Sequence, residues 1–175
     1  MLHGILSHKR VGQVTHDSVA MPEVQERRKD KRIPGAGHLH DYANLYFDAH
    51  NPMLSACRMQ NDIICVLRVD SKVLDLPCVI ISDRNAASDY VRFSSVKEGI
   101  KRIDRERVFA QFWKHPDDPF DEMRHKSEKC AEVLVPNYVD PCNIIGAYIA
   151  NEVALVNFQK FCINLAVYIK NDIFF

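Results

Sequence analysis

Apolar and polar positions along this chain alternate in short bursts, with few long stretches at helical spacing. Tyr42 to Phe47 is aromatic-rich and strand-like. Asn51-Pro52-Met53-Leu54 after it reads as a helix start, with asparagine as N-cap and proline at the first helical position. Ile63 to Val69 and Cys78 to Ser82 are β-branched runs of strand length, separated by the punctuation Leu74-Asp75-Leu76-Pro77. Val96 to Arg107 has helical character and runs into an apolar patch, Phe109 to Trp113, after which Pro116-Asp117-Asp118-Pro119 predicts a loop. Ala131 to Val135, Ile144 to Ile149 and Val167 to Ile169 predict three more strands, with a helix from Glu152 to Leu165 between the last two. At the start, Leu2 to Leu6 reads as the end of a helix passing through Gly4 into a strand or loop. Short strands interleaved with few helices predict one α+β domain over residues 1–175, because a doubly wound parallel sheet needs a long crossover helix after each strand.

Charge changes this picture little. Lys plus Arg and Asp plus Glu number 23 each, so any basic surface must be local. Glu23 to Arg32 is the densest charged run, with five basic and three acidic residues, stopped by Ile33-Pro34-Gly35-Ala36-Gly37. The six cysteines are scattered without a CxxC pair, which predicts reduced thiols and a cytoplasmic protein. No signal-peptide pattern opens the chain and no apolar run reaches the roughly 18 residues of a membrane span, so no membrane partner is expected.

Chemistry concentrates around one acid. In Cys130-Ala131-Glu132-Val133-Leu134-Val135, period-two alternation puts Cys130, Glu132 and Leu134 on one face and Ala131, Val133 and Val135 on the other. Two readings of Glu132 stand: an edge or ion-paired glutamate, or a carboxylate tuned for work in a cleft. Arg124 to Lys129 before it reads as a loop able to grip phosphate or a base, or as a solvated turn. Arg27 and Arg28 fit either a pyrophosphate clamp or the cover of a helix face. The glycines of Pro34-Gly35-Ala36-Gly37 match neither GxGxxG nor GxxxxGK[ST]. His38, His40 and Asp41 lack a second cluster to complete a zinc site, and Cys130 reads as an inert thiol, not a nucleophile paired with His125.

The ordered set Arg27-Arg28, His40-Asp41-Tyr42-Ala43-Asn44-Leu45-Tyr46-Phe47, Asn51-Pro52-Met53-Leu54, Asp83-Arg84-Asn85-Ala86 and Cys130 to Val135 resembles the DarT family, over nearly the whole chain from Gly4 to Phe175. The resemblance implies an ADP-ribosyltransferase fold, a split β-sheet core with flanking helices. It implies NAD as co-substrate, no metal, a base in single-stranded DNA as acceptor, a DarG-like macrodomain antitoxin as partner, and a monomer. Carried onto this sequence, the family's catalytic glutamate falls on Glu132 and its arginine on Arg27 or Arg28. Tyr46, Met53 and His40 fall at cofactor positions, and Asn85 on the substrate side, where relatives differ between thymine and guanine. Family members also begin with a histidine-bearing strand upstream of the segment matching Leu2 to Leu6, which this sequence lacks; His3 does not take its place.

In the reaction so implied, the nicotinamide–ribose bond breaks through a transition state with oxocarbenium character. Glu132 hydrogen-bonds the ribose, balances the developing charge and accepts a proton from the attacking base. A single strand suits such a pocket because a paired base must first be flipped. Arg92, Arg124, Lys126 and Lys129, with Phe93 and Trp113 as stacking faces, are the groove candidates, although Trp113 also reads as core. The rival functions are a non-catalytic nucleic-acid or partner-binding module of the same fold, and an RNA-modifying transferase.

Overall fold

The computed structural model describes residues 3–12, 14–16 and 18–175. In chain order its elements are β1 (Ile5–Leu6), α1 (His8–Val11), α2 (Pro22–Lys29), β2 (Arg32–Ile33), β3 (Gly37–His38), β4 (Tyr42–Tyr46), α3 (Pro52–Ala56), β5 (Val66–Val69), β6 (Ile80–Ser82), β7 (Phe93–Ser95) and α4 (Val96–Arg102). There follow α5 (Arg105–Val108), α6 (Pro119–Glu128), β8 (Glu132–Pro136), β9 (Tyr138–Val139), β10 (Ile144–Ile149), α7 (Glu152–Gln159) and β11 (Val167–Ile169), with short 3-10 turns between some of them. The fold is α+β, as the alternation predicts.

Two sheets organise it. The larger runs β4-β8-β6-β7 with antiparallel neighbours throughout. The smaller runs β11-β10-β5, with β10 parallel to β11 and antiparallel to β5. Two further pairs, β1 with β9 and β2 with β3, complete the pairing. In β8 both faces are buried, and alternation sorts them as expected. Ala131, Val133 and Val135 join Ala43, Ile81 and Val139 in one apolar cluster. Leu134 joins Ile33, Leu39, Tyr42 and Ala86 in another, on the side that Glu132 shares. Each buried valine, leucine or isoleucine among them stabilises the fold by about 1.5–3 kcal/mol. Helix α4 lies so close to β6 that a methyl group on Gly99 would overlap the Ile81 side chain.

Several boundaries differ from the sequence expectation, each for a local reason. The Val96–Arg107 helix breaks at Ile103–Asp104, where the Asp104 carboxylate turns to cap α5 by accepting from Arg107 N at 3.1 Å. Strand β6 starts at Ile80, because Cys78 sits at φ 61°, outside the β region. Strand β5 starts at Val66; Ile63 and Ile64 instead close a turn on the Gln60 carbonyl. Helix α7 stops at Gln159, short of Leu165. Residues Arg124 to Glu128 are helical, part of α6, and neither a loop nor a turn. The cause is Asp118-Pro119, whose aspartate accepts from Asp121 N at 2.9 Å as an N-cap with proline at the first position. Leu2 lies outside the described residues; Ile5 and Leu6 form a strand paired with β9.

Candidate active site

Glu132 is the first residue of β8, an interior strand of the larger sheet, and lies directly between Tyr46 at the end of β4 and Ser82 at the end of β6. Its side chain is 0% exposed. A buried carboxylate without partners costs several kcal/mol, so the fold supplies them. Helix α2 contributes Arg28, whose guanidinium donates end-on to both oxygens, Nη1 to Oε1 at 3.0 Å and Nη2 to Oε2 at 2.9 Å. The Ala86 N–H donates to Oε1 at 2.9 Å. The Glu132 N–H donates to Ser82 Oγ at 3.2 Å, and that hydroxyl donates to the Arg84 carbonyl at 2.8 Å. The carboxylate thus accepts from three protein donors out of about four lone-pair positions.

The pair dominates local electrostatics. Burial works against the charged Arg28 guanidinium, but the neighbouring Glu132 charge and hydrogen bonds outweigh it and raise the arginine's proton affinity above its ordinary value. The Tyr46 hydroxyl is held well above the usual tyrosine range, first by burial and then by Glu132. The Cys130 thiol is pushed up to about 12 by burial and by Glu132, which leaves it inert at neutral pH.

The structure separates the two arginines. Arg28 is the one buried residue of α2, whereas Arg27 faces solvent. Asn85 lies in the loop after β6, where its N–H donates to the Ser127 carbonyl and its side-chain oxygen accepts from Ala87 N; the next residue, Ala86, makes the Glu132 contact. His40 lies against His8 with ring centroids 4.1 Å apart, and its buried Nε2 has no hydrogen-bond partner among the described residues. Its imidazole is held below its ordinary value by burial first, then by His8 and Arg28.

Tyr46 and Met53 reach a second feature, a cleft of about 880 Å³ between the sheets, whose walls also include Val66, Arg68, Tyr148 and Lys170. That volume is within the range of small-molecule sites. Glu132 is not on this wall, whereas its register partner Tyr46 is. Helix α3 carries Met53 into place because the Asn51 side chain caps it, accepting from Met53 N at 2.9 Å and Leu54 N at 3.0 Å. A smaller hollow of about 300 Å³ under α7, lined by residues such as Leu67, Phe158 and Phe161, has no charged side chain on its wall.

The groove candidates fare unevenly. Arg92 and Lys126 are exposed. Arg124 is committed to Glu128 at 3.0 Å, alongside Arg107 at 2.8 Å. Lys129 is excluded from any surface groove: it is fully buried, its ammonium donating to the Asp48 carboxylate and to the Val108 carbonyl. Phe93 packs against the cluster around Leu134, and Trp113 sits edge-on to Phe175 at 5.7 Å. Sequence reasoning missed the Ala86 N–H, since a backbone donor leaves no side-chain signal, and it missed the Lys129–Asp48 bond between residues 81 positions apart.

Comparison with known proteins gives the family and the fold. A family model described as DarT, ssDNA thymidine ADP-ribosyltransferase, matches residues 1–175. A DNA ADP-ribosyl transferase–DNA ADP-ribosyl glycohydrolase fusion protein of Thermosipho africanus (strain H17ap60334) is 29% identical over 168 residues, 90% of this chain and 40% of that protein. A DNA ADP-ribosyl transferase of Thermus sp. (strain 2.9) is 32% identical over 130 residues, 67% of this chain and 59% of its own length. The chain therefore spans about half the length of these curated relatives. Among solved structures, Thermosipho africanus DarTG in complex with ADP-ribose superposes with a TM-score of 0.83 at 26% identity, covering 98% of this chain and 46% of that one. Thermus sp. 2.9 DarT in complex with ADP-ribosylated ssDNA has the same fold, with a TM-score of 0.83 at 23% identity, covering 99% of this chain and 88% of that one.

Proposed function

We propose, from the premise that this chain belongs to the DarT family, that it transfers ADP-ribose from NAD to a nucleobase of single-stranded DNA, with Glu132 as the catalytic carboxylate. The observation that carries the proposal is the Glu132 carboxylate itself, held buried at the start of an interior strand by Arg28 and the Ala86 N–H. The dinucleotide supplies the ribosyl group and nicotinamide as the leaving group. The residues' part is electrostatic: a preorganised, water-excluded carboxylate stabilises positive charge at the ribose far better than one in water. Its remaining lone pair suits a sugar hydroxyl or the proton of an attacking base. Tyr46 and Met53 would hold the nicotinamide end, and Asn85 would face the acceptor base. His40, beside Arg28, would complete the cofactor side.

Arg28 covers the carboxylate, so a substrate reaches Glu132 only when α2 shifts and the guanidinium moves toward the ligand. The fused glycohydrolase of the Thermosipho relative supports a toxin–antitoxin pairing with a macrodomain that removes the modification from DNA; the toxin itself is proposed to be a monomer. Six free thiols suit a reducing cytoplasm. Whether thymine or guanine is the acceptor belongs to the same proposal; the description of the matching family favours thymine.

The test is transfer of label from NAD to a single-stranded oligonucleotide. Glu132→Gln keeps Oε1 as acceptor for Arg28 Nη1 and the Ala86 N–H but removes the charge and turns amide N–H toward Arg28 Nη2; it is expected to lower transfer by at least about 100-fold, with retention of the fold checked by circular dichroism. Wild-type rates in that variant would refute the assignment.

One observation favours a second reading, a non-catalytic nucleic-acid or partner-binding module: the carboxylate is fully sealed beneath α2. Titration with NAD separates the two, since only the enzyme requires the dinucleotide.

A further inference from the structure

The smaller sheet carries a cation–aromatic cluster that the transfer reaction does not use. Tyr148 on β10 and Tyr168 on β11 are register partners with ring centroids 6.4 Å apart. The Arg68 guanidinium, reaching across from β5, lies 5.1 Å from the Tyr148 ring and 5.6 Å from that of Tyr168. Lys170 Nζ stands 5.7 Å from the Tyr148 ring. Gly146 makes the arrangement possible: a Cβ there would meet Arg68 Nη1 at 3.3 Å and the Ala166 carbonyl at 3.0 Å, so its bare backbone forms the trough in which the arginine lies.

The charges around the cluster are unbalanced. Among the described residues Arg68 has neither a carboxylate partner nor a hydrogen bond, leaving its N–H donors unspent. Lys170 meets only Asp172, at 3.4 Å between exposed side chains. Asp70, on the same cleft, is engaged with Lys72, accepting from its N–H at 2.9 Å. Tyr168 is 51% exposed.

An arginine lying over the rings of two tyrosines without a carboxylate partner among the described residues, with a lysine beside it whose acid, Asp172, is exposed, suits a ligand that alternates anions with π faces. Phosphate takes the guanidinium fork and bases stack on tyrosine, whereas an acidic peptide would use only the charge. Arg68, Tyr148 and Lys170 line the same cleft as Tyr46 and Met53. The geometry points to a docking platform for single-stranded DNA, formed by Arg68, Tyr148, Tyr168 and Lys170, which anchors the strand away from the base presented to the catalytic carboxylate. This is a binding site separate from Glu132, and it stands whether or not Glu132 performs transfer.

The test measures binding without turnover. A fluorescein-labelled single-stranded oligonucleotide of mixed sequence is titrated with the full chain across a salt series and read by fluorescence anisotropy. Tyr168→Ala is expected to weaken binding by about 5- to 100-fold, the loss of one base stack. Arg68→Gln is expected to weaken it and to reduce the slope of log K against log salt by about 0.7, the loss of one phosphate contact on a single strand. Tyr168→Ala, which alters no residue of the cleft wall, should keep the wild-type melting temperature and its shift with NAD, and a duplex of the same sequence should bind more weakly. The proposal is overturned if the wild type binds no oligonucleotide, if both variants match it in affinity and salt slope, or if duplex binds equally well. A loss confined to NAD binding also overturns it, by assigning the cluster to the dinucleotide. Failure of the Glu132→Gln transfer experiment leaves these measurements untouched, so the two readings fail separately.

Discussion

Glu132 and Arg28 stand 104 positions apart and share one buried bidentate contact. Truncating either side leaves an uncompensated buried charge, which costs about 3–5 kcal/mol. Arg28→Ala is therefore expected to lose that much stability in urea unfolding, while Arg27→Ala, on the solvent face, stays within about 0.5 kcal/mol of wild type. Equal effects would dissolve the distinction between the two. His40 makes a different prediction. Burial, then His8 and Arg28, hold its imidazole below the ordinary value, so below about pH 6.5 the unfolded chain gains a proton that the fold resists. Stability contributed by a neutral His40 is thus present above that pH and declines as pH falls toward the folded-state value. His40→Gln should flatten this limb in a series of melting temperatures between pH 7 and 5, and an unchanged slope would count against it.

Lys129 joins elements more than it joins residues. It stands at the entry to β8, three positions before Glu132, and its ammonium reaches both Asp48, at the end of β4, and the last carbonyl of α5. Asp48 in turn accepts from His50 N at 3.2 Å and from the Asn51 amide at 2.7 Å, and Asn51 caps α3. One buried cation thereby registers the Tyr46 end of β4, the Met53 helix and the Glu132 strand against one another. Lys129→Met fills the space but strands the Asp48 carboxylate. It should destabilise the protein by about 3 kcal/mol, and a loss below about 1 kcal/mol in chemical denaturation would show that the elements are held in register by packing alone. The helix grammar was unevenly legible at this scale. Asn51-Pro52 and Asp118-Pro119 are the same N-cap signal; the first follows an evident strand and stands out, while the second sits between two prolines and reads as a loop.

At the scale of the whole molecule, two sheets bound a cleft that meets strand β8 through Val133 and through Tyr46, the register partner of Glu132. If NAD binds the native state there, mass action requires a higher melting temperature: about 2.7 kcal/mol at a hundredfold excess over Kd, or roughly 5–10 °C for a chain of this size. No shift at millimolar NAD would favour the non-catalytic reading. The sequence by itself determined the α+β class, the two faces of β8, the capped start of α3 and the position of the carboxylate, because alternation and capping act over a few neighbouring residues. Only the tertiary structure decided which arginine meets Glu132, that Lys129 is buried rather than free for a polyanion, and that Arg68 lies over the rings of two tyrosines. Each depends on chain segments tens of residues apart being brought within a few ångströms, and no local pattern encodes which of several similar charged side chains the fold will enclose.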